Sequence, residues 1–149
     1  PMAGLIEDTV QLFRQAESRH LPVEVKLPEA PAVLTVDPVL IRHALFNLLV
    51  NAAQATPHGE HGIEISLERG EDRERNLPGW TLAVTDHGRG MPTEVMEKIF
   101  VPFYTTRSDG TGLGLPVVQH VALLHDGQVT VSSEPGHGTR FAMWLPDPT

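Results

Sequence analysis

One segment governs how the rest of this chain can be arranged. From Asp37 to Ala55 the sequence DPVLIRHALFNLLVNAAQA has no Gly, and its one Pro directly follows the Asp. Asp is a good helix N-cap, and Pro suits the first helical position, where its missing N–H would have had no partner in any case. The apolar-rich run stops before Pro57, so a long helix is expected here, with Leu45, Leu48, Leu49 and Val50 on its buried side. Such a helix needs a second layer to cover it.

The flanking segments supply that layer. Residues 5 to 19 place Leu5, Thr9, Leu12, Phe13 and Ala16 at helical spacing, ahead of Pro22. VEVKL (23 to 27) alternates and VLTV (33 to 36) is a β-branched run, with Pro28 and Pro31 between them, which predicts a hairpin. IEISL (63 to 67) and WTLAV (80 to 84) also alternate, so that Ile63, Ile65 and Leu67 face the same way as Trp80, Leu82 and Val84. The charged ERGEDRERNLPG between them reads as a solvated hairpin loop. Thr93 is placed to cap a short helix over 94 to 99. A Gly-rich stretch (110 to 114) then leads into a helical segment from Leu115 to Leu124, with Gly127 as its stop. QVTVSSE (128 to 134) and GTRFAMWLP (138 to 146) form a last hairpin around PGHG. There is no internal repeat. The fold class expected is α/β: a two-layer α/β sandwich, a mixed sheet with helices on one face.

At 149 residues the chain suits one domain, and 40% apolar with 20% charged residues is ordinary globular composition. A net charge of -8 repels nucleic acid and anionic membrane surfaces, so neither is expected as a partner. With no Cys there is no disulfide framework, thiolate nucleophile or Cys-based zinc site, which fits a cytoplasmic setting. No apolar run reaches the length of a membrane span. Pro1 is not a natural initiator, and the chain is expected to be a fragment of something longer.

Several familiar site chemistries find no match. Lys26 and Lys98 are the only lysines and neither follows Gly, so there is no Walker A loop. There is no G-x-S-x-G elbow and no H-E-x-x-H pair. His58 and His61 in PHGEHG have no third ligand nearby and read as surface histidines. GTGLGL (110 to 115) has Leu115 where a dinucleotide fingerprint needs its third Gly.

What is present is an ordered set of polar motifs. His43, Asn47 and Asn51 recur every four residues along one face of the long helix. They fit either a satisfied polar network or a ligand site, and Asn oxygens are hard donors suited to magnesium. DHGRGMP (86 to 92) follows a strand. It is either a tight turn or a base pocket in which Asp86 accepts from an exocyclic amine while Gly88 and Gly90 admit a flat ring. In KIFVPFYTTRSDGTGLGL (98 to 115), alternating glycines before a helix could offer backbone amides to phosphates. The polar FYTTRSDG suits either a mobile surface loop or a lid carrying Arg107 as counter-charge. PGHGT (135 to 139) is a turn whose Thr139 hydroxyl could back the base site.

In this order these motifs resemble the ATP-binding catalytic domain of bacterial sensor histidine kinases, within the superfamily of gyrase, Hsp90, histidine kinase and MutL ATPases. NLLVNAAQA resembles the asparagine box, DHGRG the first glycine box, IFVPFYTT the phenylalanine box, GTGLGL the second glycine box and GHGT the last one. The likeness runs from about residue 5 to 146, and NAAQA with FYTT is similar to the nitrogen-regulation-like group. FYTTR with GTGLGL favours kinases over the other branches.

The resemblance implies the Bergerat-type ATP-binding fold, with ATP and Mg2+ as cofactors. Asn51 would coordinate the magnesium, with Asn47 close by, and Asp86 would bind the adenine amine. Gly88, Gly90 and Met91 would line the base pocket, with Thr139 supporting it through water. Gly112, Leu113, Gly114 and Leu115 would offer amides to the phosphates, while Thr105, Thr106 and Arg107 belong to the lid that Phe100 and Phe103 hinge. His43 stands where the family has His or Glu to polarise the attacking group. Gln54 departs from the pattern, since many relatives have a phosphate-binding Lys there, and Arg107 or Arg89 is the available substitute.

The implied activity is transfer of the ATP γ-phosphoryl group to a histidine on a separate dimerisation domain, followed by a cognate response regulator. None of the eight histidines here has the acceptor's setting; His125, before Asp126, reads as structural. The isolated domain is expected to be a monomer and the full-length protein a homodimer. The alternatives are a degenerate ATP-binding fold acting as an interaction module, an ATP-operated clamp of the gyrase or MutL type, or an anti-sigma serine kinase.

Overall fold

The computed structural model describes residues 1–16, 21–56, 62–101 and 114–148. Its elements in chain order are α1 (Met2–Ala16), β1 (Val23–Lys26), α2 (Pro38–Ala55), β2 (Ile63–Asp72), β3 (Leu77–Asp86), α3 (Thr93–Met96), α4 (Gly114–Leu124), β4 (Gln128–Ser133) and β5 (Thr139–Pro146). The five strands form one mixed sheet in the order β1-β2-β3-β5-β4. β1 runs parallel to β2, with α2 as the crossover between them, and every other pairing is antiparallel. One sheet face, including Ile63, Ile65, Leu67, Leu82, Val84, Phe141, Met143 and Leu145, packs against α1, α2 and α4 in a single core. The two-layer sandwich expected from the sequence is the fold observed.

The long helix begins as its sequence dictates. Asp37 Oδ1 accepts from the Val39 and Leu40 amides at 3.0 and 3.2 Å, and Pro38 occupies the first turn. At the other end Thr56 closes the helix, its N–H reaching Ala53 O and its hydroxyl Ala52 O. α1 packs beside it, with Phe13 and Phe46 edge to face at 6.4 Å. Its buried face is Met2, Ile6, Thr9, Val10 and Phe13, whereas Leu12 is 52% exposed. The helix starts earlier than its spacing suggested, and Met2 and Ile6 rotate the buried stripe away from Leu12 and Ala16. The polar member Thr9 is satisfied by Leu5 O at 2.8 Å.

Three other expectations are corrected. VLTV forms no strand and no hairpin with β1. Leu34 and Val36 nonetheless pack on the core. Alternation there records one covered side, which a segment can have without a ladder partner. The supposed loop ERGEDRERNLPG is mostly strand, since β2 and β3 pair out to Asp72↔Leu77 and leave only residues 73 to 76 as the turn. These strand ends carry the exposed charged residues Glu68, Arg69 and Glu71. They are held by Arg69 over the Trp80 ring at 4.8 Å, the Arg69–Asp147 ion pair at 2.6 Å, and the Trp144 indole N–H donating to Gly70 O at 3.0 Å. The third correction is at α3, which begins at Thr93 with Pro92 in the cap position, so Thr93 caps nothing.

α4 also ends differently. Asp126, not Gly127, takes the left-handed conformation, at φ 58°, while the Gly127 N–H closes back to Ala122 O. Gly127 is required for space, because a Cβ there would lie 2.0 Å from Trp144 O. His125 is structural. Its Nδ1 donates to Val121 O at 2.8 Å, which leaves Nε2 to accept the Asp37 N–H at 3.0 Å and joins the end of α4 to the start of α2.

Candidate functional site

The motif residues converge at one end of the sheet. Asp86 ends β3 and is 2% exposed, and its Oδ1 accepts the Gly88 amide at 2.9 Å. Thr139, which opens β5, is its direct partner in the ladder and is 5% exposed. Opposed residues of an antiparallel pair project to the same face, so the register itself sets the carboxylate beside the hydroxyl.

The loop after Asp86 threads between two walls of backbone. A Cβ on Gly88 would lie 2.0 Å from Ala55 O, and the Arg89 N–H donates to that same carbonyl at 3.3 Å. Gly90 has φ +69°, and a Cβ there would stand 1.9 Å from Glu134 O. On the far side Gly138, at φ +80°, passes so close to β3 that a Cβ would lie 2.1 Å from Asp86 O. These glycines therefore fit the first glycine box between the end of α2 and the PGHGT turn. That intramolecular need was not visible in the motif.

Asn47 and Asn51 are both half-buried on α2, one turn apart, while His43 one turn earlier is exposed. A Cβ on Gly114 would stand 4.0 Å from the Asn47 carboxamide, so the first residue of α4 sits over the asparagine row. Leu115 and Met91 are half-buried against the core. Phe100 stacks edge to face on Phe141 at 6.3 Å, which anchors the start of the phenylalanine box to β5. Phe103, Thr105, Thr106, Arg107, Gly112 and Leu113 lie outside the described residues, as do His58 and His61.

Sequence reasoning missed Ser133. Its hydroxyl receives the Met91 amide, donates to Gly138 O and pairs with the Thr139 hydroxyl, each at 2.8 Å. It thereby ties the first glycine box to the last. The only sequence signal was its place at the end of a strand, just before the PGHG turn.

A family model described as histidine kinase-, DNA gyrase B-, and HSP90-like ATPase matches residues 36–149. The chain belongs to that ATPase family. The ATP-binding domain is 36% identical to the sensor histidine kinase ZraS of Escherichia coli (strain K12), with 95% of this chain aligned to 29% of that protein. It is 34% identical to the sensory histidine kinase/phosphatase NtrB of Vibrio alginolyticus, with 95% of this chain aligned to 42% of that one. The chain thus spans less than half the length of these relatives. Among solved structures, the catalytic domain of the histidine kinase ThkA superposes with a TM-score of 0.81 at 28% identity, covering 97% of this chain and 91% of that one. A mycobacterial sensor histidine kinase, MprB, superposes with a TM-score of 0.79 at 26% identity, covering 99% of this chain and 97% of that one. All four are histidine kinases, the branch that FYTTR and GTGLGL favour.

Proposed function

We propose that this domain binds Mg-ATP between α2, the DHGRG loop and the start of α4, and delivers the γ-phosphoryl group to a histidine on a separate dimerisation domain of a two-component sensor kinase. The observation that carries the reading is the buried Asp86 carboxylate facing Thr139 at the mouth of the first glycine box. Beyond the Gly88 amide that Oδ1 accepts, a carboxylate has lone pairs for further donors, and the exocyclic amine of adenine is such a donor. Met91 lines the base site with Gly88 and Gly90.

The phosphates would extend toward the start of α4, where the helix N-terminus favours their charge, and the family resemblance assigns to them the amides of Gly112, Leu113, Gly114 and Leu115. Oxygen donors without a carboxylate cluster suit an ion that keeps its waters and the phosphate oxygens as ligands. Asn51 would hold it, with Asn47 adjacent, as the resemblance implies; among the described residues no group of three His, Asp or Glu stands ready for a metal. Bound there, magnesium supplies positive charge to the triphosphate. Thr105, Thr106 and Arg107 would contact the nucleotide, as the family resemblance implies.

In the transfer, the bond from the γ-phosphorus to the bridging oxygen breaks and a bond to an imidazole nitrogen forms, while the imidazole proton is lost and ADP departs. His43 polarises the attacking group. The protein's main contribution is position. The remaining partner is a cognate response regulator. The domain works in the cytoplasm without direct membrane contact. It is a monomer alone and part of a homodimer in the full-length protein. No helix among the described residues is long and apolar enough to cross a membrane.

The test is transfer in trans. Mixed with γ-labelled ATP, magnesium and a dimerisation domain carrying the acceptor histidine, this chain should place acid-labile label on that domain and none on itself. ATP hydrolysis by the chain alone, tracking its own dimerisation, would favour a clamp instead.

A further inference from the structure

We propose that Ser133 is a positioning residue of the base pocket, which fixes the Thr139 hydroxyl so that it faces the bound base as a hydrogen-bond acceptor only. The inference rests on the reading of Asp86 as the base-binding carboxylate.

It follows from counting protons. A serine hydroxyl has one proton and can accept two hydrogen bonds. Ser133 Oγ lies 2.8 Å from each of three partners. The Met91 amide can only donate and the Gly138 carbonyl can only accept, so the serine proton goes to Gly138 O. What remains on Oγ is a lone pair, and Thr139 must donate into it. The threonine's single proton is then used inside the protein, and only its lone pairs are left for the site. The neighbour across the ladder is Asp86, whose Oδ1 acts as an acceptor toward the Gly88 amide.

Thr139 and the Asp86 Oδ1 therefore both present lone pairs at this end of the pocket. A base edge carrying an amine, met directly or through a water with two protons to give, complements them. A base with a carbonyl at the same place meets lone pairs with lone pairs. Ser133 thus turns a hydroxyl that could serve either role into one that selects adenine over guanine. It also clamps the loop that lines the base, since the Met91 amide it receives is next to Gly90, and the Gly136 N–H donates to Arg89 O at 2.7 Å.

A double-mutant cycle read by calorimetric titration with ATP and GTP tests this. Ser133→Ala should weaken ATP binding by about three- to tenfold, as for one lost hydrogen bond, and leave GTP binding unchanged or tighter. Ser133→Thr, which keeps the hydroxyl, should restore the ATP preference. In a Thr139→Val background Ser133→Ala should cost clearly less ATP affinity than in the parent, because the part of its effect that passes through Thr139 is already gone and only the Met91 contact is left to lose. Additive losses, or equal losses for ATP and GTP, would overturn the inference and leave Ser133 a merely structural clamp. If Ser133→Ala does not fold, Ser133→Cys gives the same comparison with a near-isosteric, weak donor. Asp86→Ala serves as the control: unchanged ATP affinity there would remove the base-pocket reading itself, whereas a weakened Asp86→Ala with an additive cycle would remove only the role of Ser133.

Discussion

Asp86 and Thr139 face each other across the β3–β5 ladder, both buried, with the Gly138 backbone pressed against the carbonyl of Asp86. The centre of the candidate site is thus built on strand register and close backbone packing. A site held by a ladder is positioned more firmly than one held by loop contacts alone, and it tolerates little change in the residues that bring the strands together.

Three glycines separate conformation from space. Gly138 has φ +80° and no room for a Cβ, Gly136 has φ +82° with nothing within 4 Å, and Gly4 lies in α1 with nothing within 4 Å and no φ in the left-handed range. Gly138→Ala should cost at least about 2 kcal/mol and Gly136→Ala about 1 kcal/mol, while Gly4→Ala should stabilise by about 0.5 to 1 kcal/mol. Urea unfolding of the three variants checks the order. A harmless Gly138→Ala would mean that the turn does not approach Asp86 as described.

The turn of the β2–β3 hairpin predicts an acid dependence. The Arg75 guanidinium, followed by the amides of Arg75 and Glu74, holds the Asp72 carboxyl below its ordinary range, against the opposing effect of burial. A carboxyl depressed in the folded state adds stability in full above its unfolded value, and that stability is lost as the pH falls through the folded value. Asp72→Asn should therefore lower the Tm at neutral pH, and the gap to the parent should close on acidification below the usual aspartate range. Thermal melts across that range read it directly; a gap independent of pH would show that the ion pair is not its source.

Asn51→Ala tests the metal assignment separately from the base. ATP affinity of the variant should be the same with and without magnesium, whereas the parent should bind more tightly with it. Titrations in magnesium and in a chelator decide, and a retained dependence would place the ion elsewhere.

The periods in the sequence were more legible than the pairings. The cap at Asp37, the stop at Thr56 and the inward set Ile63, Ile65, Leu67, Leu82 and Val84 follow from local chemistry, which acts within a few residues. VLTV and the charged end of β2 were misread because alternation and charge report exposure to water, while strand pairing depends on partners far along the chain. The site divides in the same way. Asp86, the asparagine row and Thr139 stand in recognisable motifs, but Ser133 acquires its role only when residues 42, 5 and 6 positions away meet at one oxygen. The stop of α4 shows the same limit: Asp126 takes the left-handed turn while Gly127 gives room for Trp144 O, a division of roles set by a strand far along the chain.

The most direct test of the account is calorimetric titration of the chain and of Asp86→Ala with ATP in magnesium. The parent should bind, and losing a charged hydrogen bond should weaken the variant by about ten- to a hundredfold. Equal affinity in the two proteins would mean that the base lies elsewhere, and absence of binding by the parent would contradict the nucleotide site itself.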